Sequence, residues 1–331
     1  MATFLTTRKM SPELAARVEA SVRGRRPGGG KPSTARLVSV LRLGAIALIV
    51  TVSCWLLLQR RRARQELEQE RATLIDQVRR ESSAVSPTEM ELVTRVQTFV
   101  ARSAGKYEGD SVSAELRGPA ALAATLARPG VYVRGPLDNV GSSVGFAESA
   151  AASFKDAFVL CLLAPPASRS EKALLAKARA AHAGDDRMSP AAHVERLYDA
   201  IVGFPVLAPA WEARVAAAET RAELKTLQTI FRRAPLQAAK RAAKAQLLLL
   251  VIDEPGDRKG PTELDGERPH HVRVGLVELA TQKLLLRLRR HVDPGWISSA
   301  VRSEYASGID SCSLALDVRS EASGEPLAGG G

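Results

Sequence analysis

"LGAIALIVTVSCWLLLQRRRARQ", residues 43–65, decides how this chain is read. No charge occurs between Leu43 and Gln59, and Arg60, Arg61, Arg62 and Arg64 follow at once. Extended back to Leu37, the run spans 37–58, interrupted early by Ser39 and Arg42. A transmembrane helix needs about 20 mostly apolar residues, so the length predicts one membrane span, with Arg42 snorkelling near its end. A buried helix of a globular domain would show a polar stripe at helical period, and 43–58 shows none. A cleaved export signal would begin the chain and end in small residues, whereas here 42 residues precede the run and arginines follow it.

The charge distribution supports the same reading. The net charge is +11, of which residues 1–42 carry nine Lys/Arg against two Glu and residues 59–80 carry seven Arg against four acids. Basicity therefore flanks the apolar run rather than marking the bulk of the chain, which suits acidic lipid headgroups better than nucleic acid. With only four Tyr, seven Phe and three Trp there is no aromatic platform for bases, and nucleic acid is set aside as a partner. Arg42, Arg60, Arg61, Arg62 and Arg64 become membrane-flanking residues. Both flanks are basic, but the more basic amino-terminal tail favours the cytoplasmic side for residues 1–36 and the large carboxy-terminal domain outside the cytoplasm, at the inner membrane, over the rival topology that keeps that domain in the cytoplasm.

Within the tail, "SPELAARVEASVRGRR" offers Ser11 as an N-cap, Pro12 in the first turn and Leu14, Val18 and Val22 at four-residue spacing, the pattern of a short amphipathic helix. The layout resembles that of a single-pass anti-sigma factor. Residues 1–42 contain neither His nor Cys, which removes the zinc-bearing version of that class. Residues 59–85 continue as a helical stalk, because Ala, Leu, Gln, Glu and Arg dominate and no Gly or Pro intervenes.

Residues 86–319 should form an α+β domain, helix-rich with a small, mostly antiparallel sheet, and 320–331 a disordered tail. Ser86 and Glu89 make a capping box ahead of Leu92, Val96, Phe99 and Val100. Val131–Arg134 reads as a strand, "KDAFVLCLLAPP" as an apolar strand, and 168–183, 190–202, 210–217, 221–231 and 236–244 as helices. "AQLLLLVIDEPG" is a buried strand, and "HHVRVGLVELATQKLLLRLRRHV" is a hairpin turning near Ala280-Thr281. Asp293 should cap a last helix.

Three groups carry candidate chemistry. Arg273, Arg287 and Arg289 fall on one side of the hairpin, where facing like charges call for an anion or for nearby carboxylates, with Glu278 or Asp317 as internal candidates. Asp265, Glu267, His270 and His271 have the atoms of a metal site without a recognised ligand spacing. Cys161 and Cys312 either pair in an oxidising compartment or remain buried free thiols, the preferred reading. No nucleophile elbow, phosphate loop or zinc-protease helix occurs, so no catalytic residue and no cofactor are expected. The Arg-for-Lys bias and Ala-rich helices suit a GC-rich bacterium. Together these features predict a single-pass, membrane-anchored bacterial envelope protein that binds the lipid bilayer and a protein or cell-wall partner without catalysis. A transmembrane sensor with a ligand-binding outer domain, or a tethered hydrolase built on 253–271, are the alternatives.

Overall fold

The computed structural model describes Glu13 and residues 34–153, 157–183, 193–255 and 268–324, with 34–46 and 303–307 described by backbone alone. Thirteen α-helices and six strands occur among the described residues, in an α+β arrangement.

The leucine run Leu247–Asp253 explains the architecture. Its alternate residues point to opposite faces, and both faces are covered: Leu247, Leu249 and Val251 enter one core, Leu248, Leu250 and Ile252 another. The strands are β1 (Ser111–Val112), β2 (Gly130–Pro136), β3 (Val194–Arg196), β4 (Leu247–Asp253), β5 (His270–Glu278) and β6 (Lys283–Val292), in the spatial order β1-β6-β5-β4-β2-β3. β4, β5, β6 and β1 pair antiparallel in succession, while β2 pairs parallel with both β4 and β3. The expected mostly antiparallel sheet is thus a six-stranded mixed one. Local sequence shows the hairpin but not the parallel crossovers, which pair segments over sixty residues apart.

On one face, Tyr132 stacks on Phe158 with ring centroids 5.8 Å apart, beside Leu249, Leu288 and Leu316. The helices Phe158–Leu163, Glu171–Ala183 and Ser299–Ser323 cover this side. On the other, Val96, Val100, Phe146, Phe204 and Ala239 bring in the helices Leu92–Ser103, Ser143–Ala152, Leu197–Leu207 and Leu236–Ala243. The Ser86 capping box forms, with the Glu89 amide donating to Ser86 Oγ at 3.2 Å and the Ser86 amide to the Glu89 carboxylate at 2.6 Å.

The membrane-spanning reading is overturned. Among the described residues no helix is long and apolar enough to cross a membrane. The predicted helix forms as part of Thr34–Ser82, and its apolar run ends at Leu58, before Gln59 and Arg60. The assignments to the inner membrane, to a single-pass topology and to the envelope fall with the span. Arg60, Arg61, Arg62 and Arg64 are exposed positions of that helix, and the Arg42 side chain lies outside the described residues.

Met1–Glu66 and Leu67–Gly331 are separate compact units. The second begins within the expected stalk: Leu74 and Val78 are buried with Trp211, Val215, Leu227 and Phe231 in a third cluster. Their spacing, too poor for a coiled coil, is that of a helix laid on a globular surface.

Four local expectations also change. "KDAFVLCLLAPP" contains the buried helix Phe158–Leu163 rather than a strand, an ambiguity inherent in short apolar runs. The predicted 190–202 helix begins only at Leu197, because Val194–Arg196 is drawn into parallel pairing with Gly130–Tyr132. Asp293 caps the 3-10 turn Pro294–Trp296, and the last helix starts after Ser298. That helix runs to Ser323 with Ala322 buried and closes on left-handed Gly324, so order extends past the expected boundary at 320. Apart from Glu13, which is helical and exposed, the 11–26 segment lies outside the described residues, as does most of the acidic loop.

Candidate functional site

β5 and β6 bring the predicted arginines together. Arg273 faces Arg289 directly across the ladder, and Arg287 faces Gly275. The repulsion is relieved by Glu254, just past β4, which is buried and accepts from both: from Arg273 Nε, and from Arg289 Nε at 2.9 Å. Burial alone would push the Glu254 carboxyl up, but hydrogen bonds from Arg273 and Arg289 and their charges outweigh it, and its pKa lies below the usual glutamate range. Neither anticipated carboxylate serves here. Glu278 pairs with Arg128 and Asp317 with Arg169.

The segment after the Leu92–Ser103 helix lies across the same arginines. Arg273 Nη1 donates to the Ser103 carbonyl at 3.0 Å and to the Gly105 carbonyl. Arg287 Nε donates to the Gly109 carbonyl at 2.7 Å, and its Nη1 to Glu108. The Tyr107 ring lies between them, 5.6 Å from the Arg273 guanidinium carbon and 5.8 Å from that of Arg287, a double cation–π contact. Tyr107 donates its hydroxyl to Asp110, and burial followed by that hydrogen bond raises the phenol well above its ordinary value. Asp110 also accepts from the Arg289 amide at 2.9 Å and from Arg290 at 2.6 Å.

Between that segment and the sheet is a cavity of about 260 Å³. Its apolar floor comes from Phe99, Leu250, Ile252 and Leu284, and its cations are Arg102, Lys106, Arg273 and Arg287. Gly275 leaves space in the floor, since a Cβ there would meet nothing closer than 3.7 Å. Arg102 and Lys106 are exposed, and no ion pair is formed by either among the described residues. Gln282, which also lines the cavity, has φ of 54° and is the single non-glycine residue with positive φ among the described residues. Strained backbone of this kind concentrates at binding sites.

Of the proposed metal ligands, only His270 and His271 are among the described residues. Asp265 and Glu267 lie outside the described residues. His270 and His271, adjacent on β5, point to opposite faces. His270 is buried, with Nε2 3.2 Å from Asp253 and Nδ1 2.6 Å from the Arg268 carbonyl, whereas exposed His271 meets His291 edge to face. Asp253 in turn takes a bidentate pair from Arg134, 2.7 and 3.0 Å, which holds its carboxyl far below the usual range against the opposing effect of burial. Among the described residues no group of three His, Cys, Asp or Glu could hold a metal ion. Cys161 and Cys312 are bonded in a disulfide with Cα atoms 5.2 Å apart, in place of the preferred free thiols. Once 158–163 is a helix packed on the last helix, the two side chains meet.

Sequence reasoning reached Arg273, Arg287 and Arg289 through strand alternation. It passed over Arg102, Lys106, Tyr107, Glu108, Gly275 and Gln282. "ARSAGKYEGD" carried the available signal, two glycines bracketing mixed charge and one aromatic directly after an amphipathic helix.

Fold and site together define an α+β domain with a small, cation-rimmed cavity beneath one connecting segment. Comparison with protein-family models, curated proteins and solved structures finds no match for the chain.

Proposed function

We propose that the chain is a non-enzymatic binding module whose ligand is a small amphipathic acid, held in the cavity between the Leu92–Ser103 helix and the β4–β5–β6 face. The observation that carries this reading is the pairing of an apolar floor with four rim cations, two of them without an ion-pair partner among the described residues. Pockets of this type take orientation from a few polar groups and affinity from apolar burial, and this volume suits roughly 8–12 non-hydrogen atoms. The cavity's remaining ionisable groups, Tyr107 and Glu108, are engaged with Asp110 and Arg287, which favours binding over chemistry.

Calorimetric titration with octanoate tests the reading. Octanoate should bind one to one, octanamide at least about tenfold more weakly because only a carboxylate gains charge-assisted hydrogen bonds. Gly275→Val, which fills the floor with a residue suited to a strand, should abolish both. Equal binding by wild type and Gly275→Val would sink the proposal.

A further inference from the structure

We infer that Glu108 is a built-in occupant of the acid-binding position, and that a ligand enters by exchanging its own carboxylate for that of Glu108 on Arg287. The inference rests on the binding reading above and adds which arginine receives the ligand and how the site is held when empty.

The three hairpin arginines differ in what they would lose. Arg273 is 14 % exposed and Glu254 7 %, and Arg273 also donates to two backbone carbonyls of the covering segment. Releasing it would strand a buried carboxylate and two carbonyls, a large penalty. Arg289 shares the same Glu254. Arg287 is different. Its single carboxylate partner among the described residues is Glu108, whose side chain is 73 % exposed. An exposed ion pair contributes little, so an incoming anion displaces it at small cost.

Geometry supports the exchange. Arg287 stays oriented without Glu108, because Nε donates to the Gly109 carbonyl and the guanidinium stacks on Tyr107. Glu108 lines the same cavity as Arg102 and Lys106, so a carboxylate replacing it on Arg287 would find two further cations nearby and leave its apolar tail facing Phe99 and Leu250. The displaced Glu108 side chain would be solvated.

The test is octanoate titration of wild type, Glu108→Gln, Arg287→Gln and the double variant, with thermal unfolding to verify folding. Glu108→Gln should bind about three- to tenfold more tightly and Arg287→Gln at least about tenfold more weakly. In the Arg287→Gln background, Glu108→Gln should add nothing, which separates local exchange from a general change in charge. A Glu108→Gln protein that binds no more tightly than wild type, or that gains equally with and without Arg287, overturns the exchange. If Gly275→Val still abolishes binding in that case, the cavity reading survives alone. Absence of saturable octanoate binding in both wild type and Glu108→Gln overturns the two together.

Discussion

Glu254 keeps two opposed guanidiniums on one sheet face, and its removal would leave them facing each other with a hydrogen-bond deficit. Glu254→Gln should lower unfolding stability by roughly 2–4 kcal/mol, less than a fully buried pair because Arg289 is partly exposed. The sign of the pH dependence follows from the depressed carboxyl. Its stabilisation is complete above the ordinary glutamate value of about 4.3 and is lost as pH falls through the lower folded value. Denaturant midpoints between pH 2 and pH 5 should therefore fall more steeply for wild type than for Glu254→Gln. Gln282 poses a separate demand: a β-branched side chain is disfavoured at φ of 54°, so Gln282→Val should lose about 1–2 kcal/mol while Gln282→Gly loses nothing. Equal stability of these two variants would show that the turn does not hold that conformation.

Helix and strand periodicity located most elements because each buries one face and the sequence repeats accordingly. It failed at 158–163 and 194–196, where burial on all sides or a distant strand partner sets the conformation. Packing between elements then makes its own demands. Gly203 lies where a Cβ would come within 2.4 Å of the Ala239 Cβ, so Gly203→Val should cost about 1–3 kcal/mol by forcing two helices apart. Leu74, read as part of a free stalk, is 2 % exposed in the structure. Leu74→Ala should cost roughly 2–4 kcal/mol, and a change near zero in chemical denaturation would return that helix segment to solvent.

At the scale of the whole molecule the disulfide is the longest covalent constraint, joining residues 151 apart. Cross-linking so large a loop restricts the unfolded chain, and the Cys161→Ala/Cys312→Ala protein should be less stable by about 2–5 kcal/mol. Its denaturant midpoint should also become indifferent to dithiothreitol. Sequence alone determined the α+β composition, the β5–β6 hairpin, the side on which Arg273, Arg287 and Arg289 stand, and the Ser86 cap, because these depend on neighbours within a few residues. Tertiary structure decided that Glu254 answers the arginines, that Cys161 meets Cys312, that the helix beyond Leu67 packs into a core and that a connecting segment covers a cavity. Each of those joins residues far apart along the chain, and only the packed sheet and its helices bring such groups within a few ångströms of one another.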